Sequence, residues 1–154
     1  MLTLSSQFNY WRSNRLTKIK FPISSQAILL SQKILTASES TDRQTIGTEL
    51  LDELCDLAKL DVIKLEIADD HQKHRKRNNR VVMRQYGYYQ TGSKYIHISN
   101  KTAVRGQILA PKTFLDTLLH EWLHHYDTYG LKLRSIHSKG FYLRLKDLKI
   151  KLGI

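Results

Sequence analysis

A single cysteine, Cys55, stands in a chain of 154 residues. That excludes an internal disulfide and a cysteine-rich zinc ribbon, and it suits a reducing compartment. Cys55 falls among Leu50, Leu51, Leu54 and Leu57, so it reads as a small buried hydrophobe. Only two prolines occur: Pro22 breaks any helix that would cross it, and Pro111 suits the first turn of one. No apolar run approaches the ~20 residues of a membrane helix. The first residues, Met1-Leu-Thr-Leu-Ser-Ser-Gln, lack the charge-then-apolar order of a signal peptide. A cytoplasmic protein without a membrane partner is expected, large enough to close one hydrophobic core.

Acids are scarce too: 14 Asp and Glu face 25 Lys and Arg, a net charge of +11. Ten of those acids lie between Glu39 and Asp70, where Arg43, Lys59 and Lys64 are the only bases. The remainder is strongly basic, which points to a polyanion, with DNA or another nucleic acid first. The densest run holds Lys73, Arg75, Lys76, Arg77 and Arg80, five bases in eight residues. It reads as a flexible loop suited to gripping phosphates. His71 and His74 lie beside it but lack partners for a second metal site. Residues 1–23 mix Phe8, Tyr10, Trp11 and Phe21 with Arg12, Arg15, Lys18 and Lys20. Such an arm either stacks on unpaired bases or packs its aromatics on the core.

Periodicity supplies the elements. Helices are expected over about 25–37 and 41–60, the second from Ile46, Leu50, Leu54 and Leu57 at helical spacing. Val62–Ile67 alternates as a half-buried strand. Two more strands, about 81–89 and 94–99, flank a turn at Thr91-Gly92-Ser93. A helix from Pro111 to about Tyr129 stops at Gly130, and a basic helix follows from about 138 to 152, with Arg144, Lys146, Lys149 and Lys151 on its exposed side. The sum is α+β: helices on a small three-stranded, mainly antiparallel sheet. Residues 1–40 form a basic and aromatic arm with a short helix, and 41–154 form the main domain.

The rest is organised around Leu119-His120-Glu121-Trp122-Leu123-His124-His125. Residues four apart share a helix face, so His120 and His124 can aim two imidazoles at one zinc ion. Glu121 sits one position further round, within reach of a water polarised by that ion. Two histidines can fall four apart by accident on an amphipathic helix, but here they lie mid-helix with apolar flanks. Asp116, one turn before His120, is placed either to orient an imidazole or simply to sit on the surface.

A third ligand is needed. No glutamate follows Glu121, and the tenth residue after His120, where one large peptidase class has a histidine, is Gly130. His125 points about 100° away from His124, and Asp127 lies two turns from His120. Asp147 sits deep in the following helix. His137, beyond the break at Gly130, is the remaining candidate.

His120-Glu-Trp-Leu-His124 followed by His137-Ser-Lys-Gly-Phe141 resembles the SprT-like zinc metallopeptidases, the group that includes Spartan. The likeness spans roughly residues 45–150. It implies a zincin-like minimal domain with one Zn2+ per chain on His120, His124 and His137, and Glu121 as the catalytic carboxylate. Phe141 matches an aromatic that packs behind the third ligand, and Ser138 stands where the family usually has glycine. The activity implied is endopeptidase cleavage of DNA-bound proteins, stimulated by nucleic acid, with Tyr126 or Tyr129 as candidates to steady the oxyanion. Strand 94–99 is the candidate edge for holding substrate backbone. Two other classes compete: a nucleic-acid-binding module whose zinc is structural, which gives Glu121 no purpose, and a deformylase-like amidase, which needs a cysteine ligand that Cys55 is poorly placed to supply.

Overall fold

The apolar stripes of the motif segment fold into helix α4 (Pro111–His125), which begins on Pro111 at its first position. Phe114, Leu115, Leu118, Leu119, Trp122 and Leu123 along it are all buried. A helix apolar on so much of its surface has to lie inside the domain. The computed structural model describes residues 3–71, 73–77, 80–102 and 105–154, and over 70–85 the path of the backbone alone. Around α4 stand α1 (Leu4–Arg15), α2 (Ser25–Ile34), α3 (Ser40–Ala58) and α5 (Lys139–Lys151). The strands are β1 (Lys64–His71), β2 (Lys73–Arg77), β3 (Arg80–Gln85), β4 (Gly87–Gln90) and β5 (Tyr95–Lys101). The fold is α+β, with five α-helices among the described residues. None of the described helices is long and apolar enough to cross a membrane.

The main sheet is three-stranded in the order β1-β5-β4. β1 pairs parallel with β5, and β5 pairs antiparallel with β4. The sheet is therefore mixed rather than mainly antiparallel, because the chain leaves β1, returns through β4 and enters the sheet centre last. Register places Leu65 beside Ile96 and Ile67 beside Ile98, so period-two alternation directs their side chains to one face. Leu65, Ile96 and Ile98 join the core there with Leu50, Leu54 and Trp122.

Three other expectations are corrected. The expected strand 94–99 is central, as β5, and not an edge. The basic run is not a loop: β2 pairs antiparallel with β3, Lys73 opposite Gln85 and Arg77 opposite Arg80. A two-stranded ribbon is held by backbone hydrogen bonds and needs no apolar alternation, so its polar sequence disguised it. The N-terminal arm contains a full helix, α1, capped by Thr3, whose hydroxyl accepts from the Ser6 amide at 3.1 Å.

Of the N-terminal aromatics, Phe21 packs on the core as one reading expected, while Trp11 does not. Phe21 is buried edge-on against Trp122 and Tyr126, at 5.6 and 5.1 Å between ring centres. Phe8 and Trp11 remain exposed and stack on each other at 6.0 Å.

Arg43 ties α3 to the sheet from a fully buried position. Its guanidinium donates to the Ala37 carbonyl at 3.2 and 3.0 Å and to Asn100 Oδ1 at 2.7 Å, and it lies over the Phe114 ring. Truncation would leave a buried carbonyl and amide unpaired. Arg43→Ala is expected to lower stability by about 2–4 kcal/mol, read as an earlier midpoint in urea with an unchanged slope.

Candidate metal centre

The α-helical pattern of α4 ends in a π-helical turn, Tyr126–Gly130. Its wider i→i+5 bond runs from the Leu131 amide to the Tyr126 carbonyl at 3.0 Å. The chain then reverses through Leu131–Ser138, with Lys132 in left-handed backbone at φ 56°. This return brings His137 back over α4. Ser138 caps α5 by accepting from the Phe141 amide at 3.1 Å. The serine at the position where the resembled family has glycine thus has its own local role, starting the helix right after the third histidine.

Three imidazoles converge. His137 Nε2 lies 3.0 Å from His120 Nε2 and 3.0 Å from His124 Nε2. Their ligand atoms all fall within 4.8 Å of one another, close enough to bind one metal ion. Phe141, fully buried, packs against all three rings, stacking on His124 at 4.6 Å. Burial, then the neighbouring His137, pushes the His120 pKa down to about 4. Burial, then His120 and His137, pushes that of His124 down to about 3. Both rings are therefore neutral at ordinary pH, as metal ligation requires.

Glu121 opens onto a cavity of about 440 Å³. His120, Thr113, Thr117 and Asp116 of α4, Leu145 and Lys149 of α5, and Tyr86 with Gly87 at the start of β4 line it as well. Burial raises the Glu121 carboxyl to about 7. That is a carboxyl able to hold or release a proton near neutrality.

His124 is held from behind by Ser135, Asp127 and Arg144, none of which the sequence placed in that role. Ser135 Oγ donates to Asp127 Oδ2 at 3.1 Å. With its one proton so used, it accepts from His124 Nδ1 at 2.7 Å. That sets the tautomer: the proton is on Nδ1 and the lone pair on Nε2, facing the other two histidines. Asp127 is itself gripped by Arg144, Nε to Oδ1 at 3.0 Å and a terminal nitrogen to Oδ2 at 2.7 Å. Both members of this pair are fully buried. Burial pushes the Asp127 carboxyl up, while the Arg144 and Ser135 hydrogen bonds pull it down; a fork on both oxygens favours the ionised form.

Arg144 is therefore not on an exposed basic face, as its place in a basic helix suggested. The one available hint was Asp127, an acid inside a largely apolar stretch. Ser135 offered no signal beyond lying two residues before His137.

The remaining candidates are accounted for. His125 is buried away from the triad, with Nδ1 on the Tyr89 hydroxyl at 2.8 Å and Nε2 on the Asp61 carbonyl at 3.0 Å. Asp147 accepts from the Ile19 amide at 3.0 Å. Asp116 pairs with Lys149 at 2.9 Å at the cavity, not with His120. Neither oxyanion candidate faces the site: the Tyr126 hydroxyl accepts from the Lys20 amide at 2.9 Å, and that of Tyr129 donates to the Thr91 carbonyl at 2.9 Å. Cys55 is buried, its sulfur accepting from Trp122 Nε1 at 3.3 Å, far from any ligand role. The backbones of Lys73, Arg75, Lys76, Arg77 and Arg80 lie on the β2–β3 ribbon. Their side chains, and those of His71 and His74, lie outside the described residues.

Comparison with family models, with curated proteins and with solved structures gave no match.

One divalent ion per chain is expected, measured by chelator competition or by the visible absorption of Co2+. Removing a ligand in His137→Ala should weaken binding by roughly a hundredfold or more, and removing its support in Ser135→Ala by about tenfold.

Proposed function

We propose that this chain is a zinc-dependent endopeptidase of the SprT-like kind. One observation carries the reading: three histidine nitrogens meet at a point beside a half-buried glutamate that opens onto a cleft. Three imidazoles suit zinc among the divalent metals that nitrogen donors hold. Tetrahedral coordination at Zn–N of about 2.0–2.1 Å separates ligand nitrogens by about 3.3–3.4 Å, close to the 3.0 Å from His137 to each of the other two, while all three lie within 4.8 Å. When bound, zinc supplies a Lewis acid that polarises the scissile carbonyl and lowers the pKa of water.

The chain's own residues do the rest. Glu121, next to His120 and facing the cavity, takes the proton of the attacking water and passes it to the leaving amine. The sheet edge at the cleft is β4, whose Gly87 lines the cavity. An extended substrate would add to that edge through backbone hydrogen bonds, in place of the strand first expected.

Nucleic acid is the proposed second partner. No acidic residue precedes Glu39, while Arg12, Arg15, Lys18, Lys20 and Lys33 do. On α1, Leu4, Phe8 and Trp11 form an exposed stripe, and the Arg15 guanidinium lies 4.7 Å from the Trp11 ring centre. Aromatic faces beside arginine suit unpaired bases next to phosphates. The rival reading, a nucleic-acid-binding module with a structural metal, uses the same surface but assigns nothing to Glu121.

Cleavage of a basic DNA-binding protein, with and without single-stranded DNA, tests these readings. Wild type should cut, and faster with DNA. Glu121→Gln should keep its metal and lose roughly a thousandfold or more in rate. Binding of DNA without cleavage by both proteins would favour the rival. The double variant Phe8→Ala with Trp11→Ala should retain DNA-independent cleavage while its affinity for single strands falls about tenfold.

A further inference from the structure

Helix α1 reads in sequence as part of an arm, yet its inner face is bonded to the segment that carries Ser135 and His137. Asn9 exchanges two hydrogen bonds with the Arg134 backbone, each 2.9 Å. Arg12 donates to the Leu131 carbonyl at 2.6 Å and the Lys132 carbonyl at 3.1 Å. Ser13 and Ser138 share a hydroxyl hydrogen bond of 2.7 Å. Asn14 Oδ1 accepts from the Gly140 amide at 2.9 Å.

Two further features tie α1 to the ligands. Arg144, which holds Asp127 and through it Ser135 and His124, also donates to the carbonyls of Ser13 and Leu16 at the end of α1. Gly140 permits the closest approach: a Cβ there would lie 1.9 Å from the Ser13 carbonyl oxygen, a distance no side chain tolerates. The contacts are almost wholly polar. The buried residue of α1 is Ser13, and its large side chains, Leu4, Phe8 and Trp11, point outward. An element held this way can lift without emptying the hydrophobic core, and what it would release is the 131–138 return.

We propose that α1 is a working part of the metal centre: docked, it holds Arg144 and the 131–138 segment so that His124 and His137 are preorganised for the ion. Arg144 is the positioning residue through which it acts. Asn9, Arg12 and Asn14 touch no ligand, and their effect runs through the backbone of the return. The inference rests on the triad binding metal, and it concerns affinity rather than peptide cleavage.

The test uses the full chain in two variants, Gly140→Ala, which forces α1 away, and the double variant Asn9→Ala with Arg12→Ala, which removes its side-chain grip. Limited trypsin cleavage at Arg15 reads undocking, circular dichroism reads the fold, and chelator competition reads Zn2+ affinity. Both variants should be cut faster at Arg15, keep their helical signal, and bind Zn2+ about tenfold more weakly, the usual scale for loss of outer support. The Co2+ spectrum should lose intensity in step. Faster cutting with wild-type Zn2+ affinity and an unchanged Co2+ spectrum would make α1 merely structural and overturn the proposal. So would unchanged cutting in the variant that does fold, since these contacts would then not hold the helix. A wild-type chain that binds no Zn2+ would instead defeat the metal reading beneath it.

Discussion

The buried fork of Arg144 on Asp127 is the constraint on which the site depends. An ionised pair with no solvent access is costly to desolvate, and it is tolerated only where further hydrogen bonds complete both partners. Here Ser135 completes the carboxylate, and the end of α1 completes the guanidinium. Each of those partners in turn touches the metal centre or its support. The interaction therefore contributes less as net stability than as geometry, because it admits one arrangement of α1, the π-helical turn, the return segment and α5.

Neighbouring features follow from that arrangement. The π-helical turn ends α4 and lets the backbone reverse, so that Ser135 arrives between Asp127 and His124. Ser138 then begins α5 while bonding to Ser13, and Phe141, in the first turn of α5, packs against all three imidazoles. The apolar platform of α4 carries His120 and His124, and a polar lattice both backs His124 and sets the return that bears His137. The division suits a metal site, because a buried helix holds imidazoles to within tenths of an ångström while a surface return needs explicit hydrogen bonds to do the same.

Much of this was legible in the sequence. The spacing of His120 and His124, the apolar flanks and the break at Gly130 led to α4, and elimination among downstream residues led to His137. Helical periodicity located α2, α3 and α5 to within a few residues. Strand pairing was less legible. Val62–Ile67 and 94–99 were recognised as strands, but alternation says which face is buried and nothing about which strand lies beside which. Strand β2 escaped because its residues are polar throughout, and 81–89, expected as one strand, divides into β3 and β4 of two different sheets. Arg144 was misread because a basic helix shows no difference between a solvated cation and one sealed against a distant carboxylate.

What the sequence determined alone was local: helix phase, the reversal after α4, and the choice of the three histidines that converge, all set by residue type and spacing. What only the tertiary structure decided was non-local. It made β4 the edge at the cleft, left Phe8 and Trp11 exposed while burying Phe21, and joined α1 to the ligands through Ser13, Arg144 and Asp127. Those partners are more than a hundred residues apart in the case of Ser13 and Arg144, and no periodic pattern connects them. Their meeting is enforced by the need of buried polar groups for hydrogen bonds, a requirement that acts only once the chain has closed around them.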